Sequence, residues 1–457
     1  MIKRYYATKD NTITNAFEEN LVTRGTGSNM GASDILEVFS IYSQASSSSI
    51  EKARILIQFD PDFDEVPASG VSWYLKMFNA PHSQTVPSNF TMAISAISQS
   101  WEEGYGLDMD FYEDVTKDGV GSNWINRASG SAWDTEGGDY RATNVITASF
   151  SSGLEDLEVD VTSIVNQWSG STWENYGFGV KLSGSFEDGT ALKSFYTKKF
   201  FGRDSEFFFQ RPVLEARWDS ARKDDRGLFY ASSSLASAED NLNTIYLYNR
   251  IRGRLKDIPS MPTSASLRTS PTGANLYDAA VTKESTGIYK ADVFLDTSAT
   301  TLYDVWYSGS TAYHTGTIDV KSFTAYGYNP EDTYILSMPG LRKEYKKNQT
   351  HRLNLYVRQK NWSPNIYTVA QQASIPSLII PSASYQMRRS VDDLVVTAYG
   401  TGSLNHTGLS YDVSGNYFDL DTTYLEAGYL YEIQYSFYDE ENGWEEQPYR
   451  FKFRVVD

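Results

Sequence analysis

The chain of 457 residues contains no cysteine and only four histidines. The absence of cysteine excludes disulfides, thiol nucleophiles, cysteine-ligated zinc and iron–sulfur clusters. Imidazole groups are scarce as well, because His82, His314, His351 and His406 lie far apart in the sequence. Few residues are therefore left for a histidine metal centre or a catalytic triad.

Long apolar runs and an excess of positive charge are also missing. No apolar run approaches the roughly 20 residues of a membrane helix, so we expect no membrane-spanning helix and no membrane partner. Forty lysines and arginines face 58 aspartates and glutamates, which gives a net charge of −18. A protein that binds nucleic acid by neutralising phosphates needs the opposite sign, so nucleic acid is not an expected partner.

Signal and enzyme motifs are absent too. Residues 1–10 begin with basic side chains but lack the apolar stretch of a secretory signal, so we expect no signal peptide. The nucleophile elbow, the zinc-protease helix and the phosphate-binding loop do not occur. The carboxylates are too scattered to be paired as a glycosidase dyad. The sequence predicts a protein that is not an enzyme and carries no cofactor, with calcium as the one exception considered below.

What the chain does contain is strand-forming sequence, with 33 tyrosines and 23 phenylalanines. Apolar residues alternate with polar ones along Ala53–Phe59 and Val71–Met77, which is typical of strands with one buried face. One helix is expected near Val161–Trp168, because apolar side chains recur there at helical spacing and Asp160 or Thr162 offers a cap. Tyr431–Val455 predicts a hairpin whose outward faces carry glutamate on one strand and lysine or arginine on the other.

Breaks in composition divide the chain. The charged segment 220–227 follows an apolar strand and predicts a boundary near residue 218. A middle unit of about 100 residues with short strands suits an immunoglobulin-like sandwich. We therefore predict domains at residues 1–218, 219–324 and 325–457.

Several segments of the first domain occur in an order that belongs to a known family. These are Ala7–Thr12 with the Gly27–Ser33 turn, Arg54–Asp60, Trp101–Gly104, Asp160–Trp168, and Phe195–Thr197 with Arg211–Glu215. Together they resemble the DNRLRE domain, a jelly-roll β-sandwich that is related to carbohydrate-binding modules. The family occurs in bacterial surface proteins, beside polysaccharide-active enzymes and in structural proteins of some tailed phages. The string that gives the family its name is absent here, and the resemblance covers under half of the chain.

The resemblance implies a fold and a role. The expected fold is all-β, an N-terminal jelly roll followed by two immunoglobulin-like sandwiches. Lys3–Ala7 with Asp10–Phe17 is similar to structural proteins of cyanophage-type myoviruses. This implies a virion protein of a tailed bacteriophage, made in the host cytoplasm and built into the particle as a head decoration, neck or tail-associated protein. Its partners would be other virion proteins, in several symmetric copies; the alternative is a carbohydrate-binding module that recognises host polysaccharide.

Asp108, Asp110 and Asp114 are the candidate metal ligands, within the acidic segment 106–119. Carboxylate oxygens on a loop are ligands that calcium prefers. The alternative is an acidic surface loop in an acidic protein.

Trp124 and Trp133 are the candidate glycan-binding residues. Their neighbours are glycine, serine and asparagine, which is typical of exposed segments, and an exposed indole offers a flat face to a sugar ring. The alternative is that both rings belong to the core, as large aromatics in sandwiches commonly do.

Two groups of basic residues are candidates for docking on a partner. Arg250, Arg252 and Arg254 alternate along what is expected to be one strand face, and Arg342 and Lys343 form a second patch. In a chain of net charge −18 such groups would bind an acidic neighbouring subunit. The alternative is a solvated face without a partner.

Overall fold

The computed structural model describes residues 1–107, 112, 120–322, 334–360, 362, 366, 377–400, 404–439 and 442–457. The chain forms two compact units. The first unit is Ile2–Trp218, and the second is Asp219–Asp457 together with Met1. The predicted boundary between residues 324 and 325 lies outside the described residues, so the division into three domains stays a prediction.

The first unit contains twelve strands and two short helices in its described part. They are β1 (Ile2–Thr14), β2 (Ile35–Tyr42), β3 (Ile50–Phe59), β4 (Ser72–Met77), β5 (Phe90–Ala96), β6 (Asn126–Ala128), β7 (Ser131–Ala132), β8 (Ile146–Phe150), β9 (Leu157–Asp160), α1 (Thr162–Ser169), β10 (Phe178–Leu182), α2 (Ser185–Asp188), β11 (Phe195–Phe201) and β12 (Val213–Arg217). Single 3-10 turns lie at Phe63–Glu65 and Phe208–Gln210.

Strand β1 takes part in two antiparallel sheets. Its first part, Ile2–Tyr6, pairs with β12 in a sheet of order β1-β12-β4-β9. From Ala7 onward the strand pairs with β3, with a register shift between Ala7 and Lys9, in a larger sheet of order β8-β5-β10-β3-β1. Strand β2 continues beside β3, and β11 pairs with β2. This arrangement is a β-sandwich, and the predicted all-β class is confirmed.

The predicted alternation is clear in β4 but not in β3. In β4, Trp73, Leu75 and Met77 are buried between partly exposed residues. In β3 every residue from Ala53 to Ile57 is buried, so both faces of the strand are covered. The second face carries Leu56, which packs into an aromatic cluster described below.

Helix α1 is present where its spacing predicts it. Ile164, Val165 and Trp168 are its buried residues. The residue before the helix is Val161, which makes no capping bond, so the expected cap is one position off. The Asp160 carboxylate instead accepts the N–H of Thr162 at 2.9 Å and serves the first turn from outside it.

The second unit contains the remaining strands of the described chain. They are β13 (Asn243–Tyr248), β14 (Arg250–Ile251), β15 (Arg254–Leu255), β16 (Ser264–Arg268), β17 (Asn275–Ser285), β18 (Ile288–Val293), β19 (Thr301–Ser308), β20 (Thr311–Asp319), β21 (Tyr334–Ser337), β22 (Glu344–Lys346), β23 (Thr350–Gln359), β24 (Ala383–Arg389), β25 (Leu394–Thr397), β26 (Ser410–Asp412), β27 (Gly415–Asp421), β28 (Leu430–Asp439), β29 (Gly443–Glu446) and β30 (Phe451–Val456). A 3-10 turn lies at Asp225–Gly227.

These strands form several sheets. One is six-stranded, of order β13-β18-β17-β16-β19-β20, and β14 and β15 form a separate hairpin. A four-stranded sheet has the order β21-β23-β27-β26. Another sheet has the order β22-β30-β28-β24-β25, with β29 paired to β28. The pairing of β22 with β30 is parallel, whereas the others are antiparallel.

A buried ion pair fixes the segment of the chain that leads into the six-stranded sheet. Asp304 of β19 is fully buried, and its carboxylate accepts hydrogen bonds from both terminal nitrogens of Arg226, at 2.6 and 2.7 Å. The indole N–H of Trp306 donates to the same carboxylate at 2.7 Å. A bidentate guanidinium and an indole together satisfy the buried charge, so the 3-10 turn before β13 is held against β19.

The C-terminal hairpin is more divided than predicted. The outgoing strand β28 pairs with β29 through its second half and with β30 through its first half. The expected charge pairing is confirmed, because Glu432 accepts from Lys452 at 2.7 Å and from Arg450 at 3.3 Å. The expectation of an outward polar face is confirmed for Arg450, Lys452 and Arg454, which are exposed. It is wrong for β28, since Glu432, Gln434 and Ser436 are all buried. Strand β24 lies beside β28, so the polar side chains of this strand lie inside the sheet assembly rather than at its edge.

A buried charge cluster lies on β1 in the first unit. The backbone N–H of Arg203 donates to Asp10 Oδ2 at 2.6 Å, and the Arg203 guanidinium binds both oxygens of Glu103, at 2.8 and 3.0 Å. Asp10 Oδ1 is buried and has no hydrogen-bond partner among the described residues. Burial raises the pKa of Asp10 to about 7.

The raised pKa predicts a pH-dependent penalty. The folded chain binds the Asp10 proton more tightly than the unfolded chain, so this carboxyl lowers the free energy of unfolding as pH rises from about 4 to 7. At about 1.4 kcal/mol per pKa unit the loss amounts to a few kcal/mol. Asp10→Asn should therefore gain stability relative to the wild type across that interval. Denaturant unfolding can be followed by tryptophan fluorescence, since seven of the ten tryptophans lie in the first unit.

The exposed Asp34→Asn variant is the matched control for the removal of one carboxylate from the same unit. A difference between Asp10→Asn and the wild type that stays constant from pH 4 to pH 8 would contradict the assignment.

Candidate interaction surface

Arg250, Arg252 and Arg254 lie on a tight hairpin. Its strands pair Arg250 with Leu255 and Ile251 with Arg254. The two turn residues, Arg252 and Gly253, have φ angles of 53° and 78°. Two consecutive positive φ angles are typical of the two-residue turn that matches the twist of a hairpin. The predicted alternation along one strand face is therefore wrong, because the chain reverses at Gly253.

The base of this hairpin is held on the turn between β17 and β18. Asn249 donates its backbone N–H to Gly287 O at 2.8 Å and its side-chain amide to Lys256 O at 2.6 Å. Gly287 has a φ of 69°, and a Cβ there would lie 2.7 Å from Lys256 N. The side chain of Asp257 accepts the N–H of Gly287 at 2.8 Å. The hairpin is therefore fixed at its base and exposed at its tip.

The tip carries unneutralised positive charge. We call residues 250–256 the basic hairpin; its exposed cations are Arg250, Arg252, Arg254 and Lys256. None of the four side chains has an ion pair or a hydrogen bond among the described residues. The acidic residue that follows, Asp257, is already bound by Lys283 at 2.8 Å. An exposed apolar side chain, Ile251, accompanies the cations.

The second basic group lies elsewhere in the second unit. Arg342 and Lys343 are exposed and precede β22. Their backbones are fixed, because Arg342 N donates to the Tyr345 hydroxyl at 2.9 Å and Lys343 O accepts Arg454 N at 2.9 Å. No contact between described residues joins this group to the basic hairpin, so the structure does not bring the two predicted patches together.

Strand β20 is a feature that the sequence analysis missed. It is an end strand of the six-stranded sheet, and residues 311–315 are exposed. A bulge leaves Tyr313 unpaired, after which the pairing with β19 is regular to Asp319. The strand contains no proline, lysine or arginine, the residues that usually protect a sheet edge. Its threonine-rich alternation was the available signal, but sequence alone does not show which strand lies at an edge.

The expectation that Trp124 and Trp133 face solvent is wrong. They are only 5% and 6% exposed and belong to a cluster with Ile13, Leu56 and Trp101. The Trp133 indole N–H donates to the backbone carbonyl of Asn123 at 2.9 Å. The guanidinium of Arg54 lies 4.7 Å from the centre of the Trp124 ring. These rings cover the second face of β3, so neither offers a platform for a sugar.

The polar residues beside Trp124 are buried rather than exposed. Ser122 and Asn123 are almost inaccessible to solvent. Ser122 O accepts the side-chain amides of Asn11 and Asn29, both at 2.8 Å. Small polar residues serve here to bond one loop to another, which a sequence pattern cannot distinguish from solvent exposure.

The predicted calcium ligands Asp108, Asp110 and Asp114 lie outside the described residues. Within the described ranges, no group of three or more histidine, aspartate or glutamate side chains is placed to hold a metal ion. Over the same ranges, none of the helices has the length and apolar character needed to cross a membrane.

Comparison with known proteins adds little to this geometry. No family model and no curated protein matches the chain. Among solved structures, Escherichia coli alpha-2-macroglobulin activated by porcine elastase aligns at 13% identity and a TM-score of 0.18, over 52% of this chain and 20% of that one. The Yersinia pseudotuberculosis adhesin InvE aligns at 12% identity and a TM-score of 0.16, over 51% and 56% of the two chains.

The Escherichia coli adhesin FdeC aligns at 13% identity and a TM-score of 0.16, over 57% of this chain and 77% of that one. This chain thus spans well under two thirds of the macroglobulin and of InvE. Similarity at these TM-scores supports no conclusion about function.

The buried position of Trp133 predicts a structural effect of its removal. Trp133→Ala should lower the free energy of unfolding by about 3–5 kcal/mol, because it leaves a cavity over β3 and an unpaired carbonyl at Asn123. The exposed Trp444 of β29 provides the matched control, and Trp444→Ala should cost less than about 1 kcal/mol. Denaturant unfolding of both variants checks the difference. Equal, small losses would show that Trp133 is not part of a packed cluster.

Proposed function

We propose that this protein is a non-enzymatic structural component of a larger assembly, and that the basic hairpin is a docking contact for an acidic neighbouring subunit. The observation that supports the proposal is a set of four exposed cations that have no partner among the described residues, held on a fixed hairpin of a chain with net charge −18. The assembly we propose is the virion of a tailed phage, in which the protein would be a head decoration, neck or tail-associated subunit. The resemblance of the first domain supports that choice.

Screening by salt limits the distance over which the net negative charge of the chain and the positive charge of the hairpin act. At physiological ionic strength the Debye length is about 8 Å, so the overall negative charge is largely screened beyond that distance. A cluster of cations at a surface still acts at contact, where it raises the rate of association and fixes the register of two partners. The hairpin would therefore act mainly at contact with an acidic surface.

The edge strand β20 supports a second contact in the same role, since no other strand among the described residues pairs with its outer side. N–H and C=O groups along an edge strand can pair with an extended segment of another chain. The basic hairpin and β20 lie on the same unit of the chain.

The location of the protein tests the virion assignment. We would label purified phage particles with gold-tagged antibody raised against the recombinant chain and find the gold by electron microscopy. Gold on the head, neck or tail is the expected result, and its position distinguishes the three placements. Particles without gold, and without peptides of this protein in their mass spectra, would rule out the virion role and favour the carbohydrate-binding alternative.

The basic hairpin has its own test. The triple variant Arg250→Gln, Arg252→Gln and Arg254→Gln should bind particles that lack the protein about tenfold or more weakly, since surface charges contribute up to about 1 kcal/mol each. Its free energy of unfolding should stay within about 0.5 kcal/mol of the wild type. Binding is measured by re-addition to such particles at several salt concentrations.

A matched control removes the same charge from the same unit. Lys223, Lys321 and Lys360 are exposed, and their change to glutamine should leave binding within about twofold of the wild type. If both triple variants weaken binding equally, net charge rather than the hairpin decides docking, and the assignment of this contact fails.

A further inference from the structure

A fully buried lysine lies in β11, against the segment that follows β4. The side chain of Lys198 is 0% exposed. Its Nζ donates to the side-chain Oδ1 of Asn79 at 2.5 Å and to the backbone oxygens of Gly153 and Glu155 at 2.8 and 2.9 Å. No carboxylate among the described residues lies within ion-pair distance of Nζ, although the charges of Asp156 and Glu155 act on it from farther away. A buried ammonium without a contacting counter-ion is costly, so its presence calls for an explanation.

Burial of the amine shifts its protonation equilibrium toward the neutral form. The rings of Phe150 and Phe200 lie 5.5 and 4.8 Å from Nζ. Burial lowers the pKa of Lys198 to about 8. A substantial fraction of the side chains is therefore unprotonated in mildly alkaline solution, and the neutral amine is the nucleophilic form of lysine.

Backbone hydrogen bonds hold the segments that carry the Lys198 amine and the Asn79 amide side by side. Asn79 bridges to Phe200, and the N–H groups of Ala80 and Phe201 donate to Lys199 O and Phe78 O, both at 3.0 Å. The two reacting side chains thus project from strands whose register is fixed. Such placement removes most of the entropy cost of a reaction between two groups.

We propose that Lys198 and Asn79 form an intramolecular isopeptide bond. The neutral Nζ of Lys198 attacks Cγ of Asn79, the bond from Cγ to Nδ2 breaks, and Nδ2 leaves as ammonia. The product is a secondary amide between Nζ and Cγ. Starting from the ammonium form, the balance is one lysine ammonium and one asparagine amide giving one cross-linking amide and one ammonium ion. No oxidant, reductant or metal is needed.

Glu155 is the group that we assign to relay protons in this step. Its backbone oxygen already accepts from Nζ, and its Oε2 is buried without a hydrogen-bond partner among the described residues. Oε2 would receive a proton from Nζ and deliver it to the departing Nδ2. Hydrogen bonds from the backbone N–H groups of Ser152 and Ser151 lower the pKa of Glu155 to about 2. Glu155 is therefore ionised but a weak base, and we expect the bond to form slowly after folding.

The bond would join the two sheets of the first unit. Strand β11 belongs to the larger sheet through β2, and β4 belongs to the smaller sheet. Residues 79 and 198 are 119 positions apart, so the closed loop is long, and a cross-link over a long loop restricts the unfolded chain strongly. A chain without cysteine would gain in this way the kind of covalent restraint that a disulfide gives elsewhere. The inference does not depend on the proposed function.

Mass spectrometry of the full-length protein tests the proposal directly. Samples are taken at intervals after purification and kept at pH 8 to 9, where more of the amine is neutral. The expected result is a growing species lighter than the sequence mass by one ammonia, together with a tryptic peptide that contains both Asn79 and Lys198. Trypsin should not cleave after Lys198 in that species, because the acylated side chain is no longer basic.

The linked peptide separates this reaction from loss of ammonia at a single asparagine, which gives the same mass but no branched peptide. Asn79→Ala and the charge-retaining Lys198→Arg should abolish the linked peptide, and Glu155→Gln should slow its formation at least tenfold. The wild type should also unfold at a higher temperature after the reaction than before it. A wild-type protein that keeps its full sequence mass after prolonged incubation at pH 9, or that loses ammonia without a linked peptide, would overturn the proposal.

Discussion

The fold of the first unit depends on one strand that belongs to both of its sheets. Strand β1 leaves one sheet at Tyr6 and enters the other at Ala7, and its residues from Asp10 to Thr14 are all buried. Most of these residues are polar, and a buried polar side chain must find a partner in the protein. The loops that cover β1 are therefore positioned by hydrogen bonds from the strand itself.

The side chains of Asn11 and Asn29 make most of these hydrogen bonds to the loops. Asn11 binds the backbone of Met30 and of Ser122, and Asn29 binds the backbone of Glu103, Ser122 and Gly106. Three loops distant in sequence are thus joined through two buried amides. The loops approach closely enough that a Cβ at Gly104 or Gly121 would lie within 2.6 Å of Asn29 atoms, and both glycines have positive φ angles. Glycine is required there for space and for backbone conformation at once.

Local periodicity predicted the elements better than it predicted their surroundings. The alternation in β4 and the helical spacing of Ile164, Val165 and Trp168 each describe one face of one element, and the structure agrees with them. The second face of an element depends on a distant segment. Leu56 is covered by tryptophans from residues 101–133, and Glu432 is surrounded by neighbouring strands, so both are buried for reasons that no local pattern contains.

The candidate site shows the same limit in another form. The basic residues from Arg250 to Arg254 were recognisable by charge, but their grouping depends on a reversal at Gly253, where a two-residue turn replaces a continuous strand. The edge position of β20 depends on the order of strands in the sheet. Composition therefore indicated which residues were candidates, whereas topology determined which of them form one surface.

The basic hairpin differs from other cationic residues of this protein in how its charge is paired. Several partly buried arginines of this protein are paired with carboxylates: Arg226 binds Asp304, and Arg4 and Arg217 bind Glu215. Burial alone would raise the pKa of Glu215, but the positive charges of Arg4, Lys76 and Arg217 outweigh it and lower the pKa to about 2.

The same chain has 18 more acidic than basic residues, so acidic partners for four further cations are not scarce in its sequence. The cations of the hairpin nevertheless form no ion pair with any acidic side chain among the described residues: its base is fixed on Gly287, and the acidic residue closest in sequence, Asp257, is bound by Lys283. This difference between the paired arginines and the unpaired hairpin is the observation on which the proposed docking contact rests.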